Sequence, residues 1–222
     1  MYECRKTYNN IPFTDAVEDI YRRLYNEFGP QGWWPSETDF ETIVGAILTQ
    51  AVNWTNVEKA IENMKQEGVL SPEKVRAVDN NKLAVLIKPS GYYNMKAKKL
   101  KAFIHFLFKE YDGSLKLMFQ ERLEDLRKKL LGIYGIGPET ADSILLYAGG
   151  YPVFVVDAYT KRIFYRLNYV SKNINYHDLQ QLIMDNFRIS VDNYNEFHAL
   201  LVETGKNYCK RNNQLCKECP LA

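Results

Sequence analysis

Two glycines in the second half of the chain are spaced for contact with a phosphate group. Gly135 and Gly137 flank one apolar residue, a pattern that permits a tight turn with exposed backbone amides. Pro138 follows at an expected first helical position, where its missing N–H costs nothing. Amides at the positive end of a helix bind phosphate oxygens. The spacing predicts a helix-hairpin-helix that contacts phosphate, with an ordinary helix–helix turn as the alternative.

Three of the four cysteines, Cys209, Cys216 and Cys219, lie within the last fourteen residues of the sequence. This crowding suits metal ligation in a reducing compartment better than a secreted disulfide framework. The spacing therefore predicts a metal site close to residue 222.

A carboxylate, Asp157, directly follows the apolar run Val153–Val156 and precedes a helical pattern. This position predicts a helix N-cap. The chain also has sixteen tyrosines, eleven phenylalanines and three tryptophans. Core packing accounts for most of these rings, but some could offer flat faces to a ligand or a nucleic-acid base.

The elements that must position these residues are predicted to be helices. Apolar residues between Phe40 and Leu48 recur on one helical face, and either Thr38 or Asp39 could cap that helix. Further helical patterns cover residues 97–111, 123–130, 141–148 and 159–167. Val153–Val156 is the best strand candidate, but its shortness favours a buried extended connector. The predicted fold class is therefore all-α.

Composition excludes several classes of protein. The 222 residues are 46% hydrophobic and 25% charged, as in globular domains. A net charge of +2 excludes a broadly basic polyanion binder, so any contact with nucleic acid must be local. No apolar run is long enough to span a membrane, and residues 1–10 lack the apolar core of a signal peptide. We expect a cytoplasmic protein with no membrane partner.

The ordered motifs resemble the helix-hairpin-helix DNA glycosylases of the endonuclease III superfamily. Their hairpin reads Gly-Val/Ile-Gly and is followed by Val-Asp, which matches Val156 and Asp157 here. The resemblance covers most of the chain, and the remaining matches are Trp33-Trp34-Pro35, Leu48-Thr49-Gln50, Gly91-Tyr92-Tyr93-Asn94 and the terminal cysteines. It implies a two-lobed fold with a DNA-binding cleft between the lobes. Residues 31–150 would form the central lobe, and residues 1–30 and 151–222 the terminal lobe with a metal-cluster loop.

The resemblance assigns catalysis to Asp157. Its carboxylate would stabilise positive charge on the sugar while water attacks, and could also orient or deprotonate that water. Family members that also cut the DNA backbone carry a Schiff-base lysine two residues after the last hairpin glycine. Glu139 occupies that position, which predicts a monofunctional enzyme without lyase activity. Glu139 itself is expected in the first helical turn of the DNA-binding hairpin, with no catalytic role.

Trp33, Trp34 and Trp54 are the residues expected to line the base pocket. Together with Gln50 they most resemble the 3-methyladenine DNA glycosylases of the superfamily, whose aromatic pocket receives an alkylated base. Indole faces attract a cationic purine more than a neutral one. Each tryptophan could instead be a core anchor.

Further DNA contacts are implied for the residues around the pocket and the hairpin. Gln50 matches the residue that fills the vacated base stack, and Tyr92 matches the wedge. Lys161, and less strongly Lys96 and Lys98, could contact phosphates, although lysines on amphipathic helices are usually solvated. Exposed helix-end and loop positions are the alternatives for Gln50 and Tyr92.

The cysteines match the iron–sulfur spacing of the superfamily, C-x6-C-x2-C. Its fourth cysteine has no counterpart before Ala222, so Cys4 is expected to complete a 4Fe-4S cluster. A structural zinc on the same thiolates is the second possibility, and an incomplete or lost cluster is the third.

The predicted function is removal of a damaged base, such as 3-methyladenine, from duplex DNA by a monomer. A mismatch uracil or thymine glycosylase is the alternative within this class. Adenine removal fits less well, because the catalytic glutamate of those relatives corresponds to Gly45. Two alternatives come from other classes of function. One is a non-enzymatic lesion-sensing DNA-binding protein, against which Asp157 argues. The other is a redox sensor, which would leave the hairpin unexplained.

Overall fold

The computed structural model describes Tyr8 and residues 10–222, and these residues form helices and no strand. The α-helices are α1 (Phe13–Phe28), α2 (Asp39–Leu48), α3 (Trp54–Gln66), α4 (Pro72–Ala77), α5 (Asn80–Leu86), α6 (Tyr93–Tyr111), α7 (Leu115–Met118), α8 (Leu123–Leu131), α9 (Pro138–Ser143), α10 (Ala158–Arg166), α11 (Tyr176–Asn186) and α12 (Val191–Asn207). A 3-10 turn at Lys88–Ser90 precedes α6, and a π-helical segment at Ile144–Ala148 continues α9. The all-α prediction is confirmed.

Short polar side chains begin many of these helices. Thr38 is the N-cap of α2, and its side chain accepts a hydrogen bond from the backbone N–H of Glu41. Asp79 caps α5 in the same way, accepting from two backbone N–H groups. Each cap satisfies donors that the first helical turn leaves without a partner. Val153–Val156 is buried and forms neither helix nor strand, so it is a connector.

The described chain divides into two compact units. The central unit is Pro35–Tyr151 and contains α2 to α9. The terminal unit combines the described residues up to Trp34 with Pro152–Ala222, so α1 packs with α11 and α12. These boundaries lie after residues 34 and 151, where the sequence led us to expect 30 and 150. Among the described helices, none is long and apolar enough to cross a membrane.

Candidate functional site

The hairpin between α8 and α9 has two glycines with different surroundings. Gly135 has a φ of +80°, and a Cβ atom there would lie 2.6 Å from Cδ of Lys99. Both the left-handed backbone and this close approach require glycine. Gly137 is the N-cap of α9, and a Cβ atom there would meet no other atom within 4 Å. Gly135 is thus needed for packing, whereas Gly137 leaves open space at a helix N-terminus. Glu139 is exposed in the first turn of α9.

Gln50 is attached to the hairpin in this structure. Its Nε2 donates hydrogen bonds to the backbone oxygen of Gly135 at 3.0 Å and to Oγ1 of Thr140 at 2.9 Å. The Nζ of Lys99 donates to Oε1 of Gln50. The side chain that the sequence assigns to the vacated base stack therefore supports the hairpin. Insertion of Gln50 into DNA stays a prediction and would require these bonds to break.

Tyr92 belongs to an exposed surface of the central unit. It is the N-cap of α6, has a left-handed backbone with φ of 46°, and is 76% exposed. The hydroxyl of Tyr134 lies 3.0 Å from the sulfur of Met95, and both side chains are exposed as well. Exposed aromatic and thioether groups suit contact with bases, as expected of a wedge. Met95 and Tyr134 were not singled out from the sequence, although Tyr134 lies inside the hairpin motif.

Lys96 does not have the role suggested by the sequence. It is buried, and its Nζ donates hydrogen bonds to two backbone oxygens, those of Leu48 and Ser90. The expectation of a phosphate contact by Lys96 is therefore wrong. Lys98 is exposed and Lys161 is partly exposed, so both remain accessible to a phosphate.

Asp157 is the N-cap of α10, as its position after Val156 predicts. Its Oδ1 accepts hydrogen bonds from the backbone N–H of Thr160 at 2.7 Å and from Oγ1 of Thr160 at 2.8 Å. Its Oδ2 lies 4.0 Å from Nε2 of His198, and the side chain is 12% exposed. One oxygen is thus fixed by two donors at the positive end of a helix, where negative charge is favoured.

His198 is a second titratable group beside this carboxylate. It lies on α12 and is buried, and this burial lowers its pKa more than the negative charge of Asp157 raises it. The imidazole is therefore neutral at physiological pH. The sequence analysis did not assign a role to His198. A histidine among the apolar residues of α12 was the signal that could have suggested a buried role.

The three tryptophans are partly exposed. The Trp33 and Trp34 rings have centroids 5.4 Å apart and meet edge to face, across a cis peptide bond in the terminal unit. The Nζ of Lys206 lies 5.7 Å from the centroid of Trp33. Trp54 is the first residue of α3, in the central unit. Partial exposure leaves part of each ring available for stacking, and the base pocket stays a prediction.

The segment after α12 carries the terminal cysteines. Arg166 donates from Nη1 to the Sγ of Cys209 at 3.3 Å, and Arg162 donates from Nε to the backbone oxygen of Cys209 at 2.6 Å. Burial, and to a smaller extent the neighbouring Cys209 and Cys216, raises the pKa of Cys219 to about 11. Thiolates are the usual ligands of iron–sulfur clusters. In the part of the chain that the structure describes, however, no three such side chains converge on a metal position. The fourth expected ligand, Cys4, lies outside the described residues.

Comparison with known proteins identifies the family. The model of the HhH-GPD superfamily of base excision DNA repair proteins matches residues 44–188. The chain belongs to this superfamily, as its hairpin and Val-Asp motif indicate.

Individual relatives agree with this family. A provisionally named DNA repair glycosylase of Methanocaldococcus jannaschii is 44% identical over 208 residues, which cover 93% of this chain and 94% of that protein. Endonuclease III of Thermotoga maritima is 28% identical, with 91% of this chain and 89% of that protein covered. Among solved structures, the H. pylori 3-methyladenine DNA glycosylase bound to 1,N6-ethenoadenine has a TM-score of 0.76 and 29% identity. The match covers 88% of this chain and 98% of that one.

Proposed function

We propose that this chain is a monofunctional DNA glycosylase that hydrolyses the bond between sugar and base for an alkylated purine flipped out of duplex DNA. The observation that carries the proposal is the Asp157 carboxylate, held at a helix N-cap with one oxygen fixed by Thr160. The family supports glycosylase chemistry. The protein would act as a monomer.

Asp157 provides the charge that this reaction needs. When the bond to the base breaks, positive charge develops on the sugar, and a nearby carboxylate stabilises it. The hydrogen bonds from Thr160 restrict rotation of the carboxylate, so little reorganisation is needed as the charge develops. Oδ2 makes neither of these bonds, and we assign to it the orientation of the attacking water. His198, being neutral, does not offset the negative charge of Asp157.

Two observations favour hydrolysis without strand cleavage. Glu139 occupies the position where bifunctional relatives carry the lysine nucleophile, and a carboxylate cannot form a Schiff base. Lys96 has a lowered pKa, which is typical of reactive amines, but it is buried and bonded to two backbone oxygens. Neither residue offers a free amine to the sugar.

Two observations support an alkylated purine as the substrate. Trp33 and Trp34 are partly exposed aromatic rings in the same unit as Asp157, and indole faces attract cationic bases. The similar H. pylori enzyme is a 3-methyladenine DNA glycosylase whose structure contains 1,N6-ethenoadenine. We therefore propose purines of this kind ahead of mismatched uracil or thymine.

Excision assays test this function directly. Duplexes that carry 3-methyladenine, 1,N6-ethenoadenine, or uracil or thymine opposite guanine are incubated with the protein and then treated with alkali. We expect breaks at the alkylated purines that depend on alkali, and no adduct after borohydride reduction. Breaks without alkali or a trapped adduct would contradict hydrolysis alone, and activity confined to the mismatched pyrimidines would contradict the substrate assignment.

Substitution of Asp157 separates catalysis from helix capping. Asparagine caps helices as well as aspartate does, so Asp157→Asn should fold normally but lose about 100-fold or more in single-turnover excision, because the charge is lost. Asp79→Asn makes the same change at the N-cap of α5 and should retain full activity. Full activity in Asp157→Asn would contradict the assigned role.

We also propose that Cys4, Cys209, Cys216 and Cys219 hold a 4Fe-4S cluster, which would stabilise the segment after α12. The contact of the Arg166 guanidinium with the Sγ of Cys209 supports thiolate ligation. Protein purified without oxygen should contain iron and sulfide and absorb visible light, and Cys4→Ser should lower the iron content. Colourless protein loaded with zinc would favour a zinc site, and metal-free protein would contradict both.

A further inference from the structure

Lys96 places a charged group inside the central unit, where only 2% of the residue is exposed. Lysine is almost never fully buried without a partner, because its ammonium group loses hydration. Burial, with a smaller contribution from Lys99, lowers the pKa of Lys96 to about 8. The ammonium form therefore still predominates at neutral pH, and it needs acceptors.

Both acceptors are backbone oxygens at the C-terminal ends of helical segments. The Nζ of Lys96 donates to the oxygen of Leu48 at 2.7 Å and to that of Ser90 at 2.6 Å. Leu48 ends α2, and Ser90 ends the 3-10 turn. Carbonyl groups in a last helical turn lack partners within their helix, and a cation is favourable there. Lys96 thus ties together two helix ends that are far apart in sequence.

The segments that leave these two helix ends carry two residues assigned to DNA. Gln50 follows Leu48 by two positions, and Tyr92 follows Ser90 by two positions. Tyr92 is also the N-cap of α6, the helix that carries Lys96. The same ammonium group therefore fixes the chain immediately before both residues.

We propose that Lys96 is a positioning residue that fixes the positions of Gln50 and Tyr92 relative to each other. Both side chains can then enter the base stack together when the target base leaves it. This inference rests on the proposed glycosylase function, in which a flipped base leaves a gap to be filled. Lys96 acts through the two segments, because its own side chain is too deeply buried to touch DNA. Lys99, one turn further along α6, donates to Oε1 of Gln50, and this bond must break before Gln50 can enter the stack.

Two lysine-to-methionine substitutions on α6 test the proposal. Lys96→Met keeps an unbranched side chain but removes the donors, and Lys109→Met makes the same change at an exposed position. Each variant is assayed on a lesion in paired duplex DNA and on the same lesion in single-stranded DNA, where no stack has to be opened.

Lys96→Met should slow single-turnover excision about tenfold or more in duplex DNA but only about twofold in the single strand, since small displacements of positioning groups are costly. Lys109→Met should match the wild type on both substrates. Equal losses on the two substrates, or no loss, would overturn the inference.

A second measurement does not depend on base release. The duplex carries a stable abasic-site analogue beside the fluorescent base 2-aminopurine. Binding of wild type or Lys109→Met should raise the 2-aminopurine fluorescence, whereas binding of Lys96→Met should raise it much less. Wild-type protein that raises fluorescence but releases no base would contradict the glycosylase function alone. An equal rise for Lys96→Met, or none for wild type, would overturn the positioning role.

A shorter variant covers the case in which Lys96→Met does not fold. Lys96→Gln retains two N–H donors and should show the same difference between substrates to a smaller extent. Equal losses of Lys96→Gln on both substrates would then overturn the inference.

Discussion

The side chain of His198 makes the stability of the protein depend on pH. Burial holds its pKa below the usual 6.5, so the unfolded chain binds a proton more readily than the folded one. The stability that this group contributes is complete above pH 6.5 and is lost as the pH falls through the folded pKa. Urea unfolding should show His198→Gln losing less stability than the wild type between pH 7 and pH 5. The control is His177→Gln, the same change at an exposed histidine, which should leave the pH dependence of the wild type unchanged. An unchanged pH dependence in His198→Gln would contradict a neutral buried imidazole.

Lys96 makes the stability of the protein depend on pH in a higher range. Its folded pKa of about 8 lies below the ordinary 10.5, so between these values only the unfolded chain is protonated at this position. Wild-type stability should therefore rise relative to Lys96→Met over this window, by at most about 3 kcal/mol. Other groups titrate in both proteins and cancel in the difference. A constant difference in unfolding free energy from pH 7 to pH 10 would contradict the lowered pKa.

At the scale of elements, the two hairpin glycines should respond differently to alanine. Gly135→Ala combines a positive φ with a clash against Lys99 and should cost about 2 kcal/mol or more of unfolding free energy. Gly137→Ala has room for its methyl group and should cost less than about 1 kcal/mol. It should nevertheless weaken duplex binding, since the methyl group would stand where a phosphate approaches α9. Wild-type affinity of Gly137→Ala in fluorescence anisotropy would argue against a phosphate contact there.

The helices were more predictable from sequence than the contacts between them. Apolar periodicity and the cap at Thr38 are local, so α2 follows directly from its own residues. The burial of Lys96 is not local: its position on α6 resembles that of its solvated neighbours, and its acceptors come from two distant helix ends. His198 lies beside Asp157 only because α10 packs against α12. Periodicity within one helix contains no such information.

Over the whole molecule, the small net charge limits how the protein can hold DNA. With a net charge of +2, binding must come from a few local contacts. The logarithm of the duplex affinity should therefore fall with the logarithm of salt concentration with a slope of about −2 to −5, equivalent to roughly two to five phosphates. Anisotropy titrations at several salt concentrations measure this slope. A value near −10 would indicate a broad basic surface instead.

The two units also differ in when they can form during synthesis. Pro35–Tyr151 is one continuous stretch, so it can fold on the ribosome while later codons are still being read. The terminal unit can form only after Pro152–Ala222, which contains Asp157 and His198, has been made. A nascent chain would thus possess its hairpin before Asp157 is in place. Translational arrest near residue 151 would release a fragment with the hairpin but without Asp157.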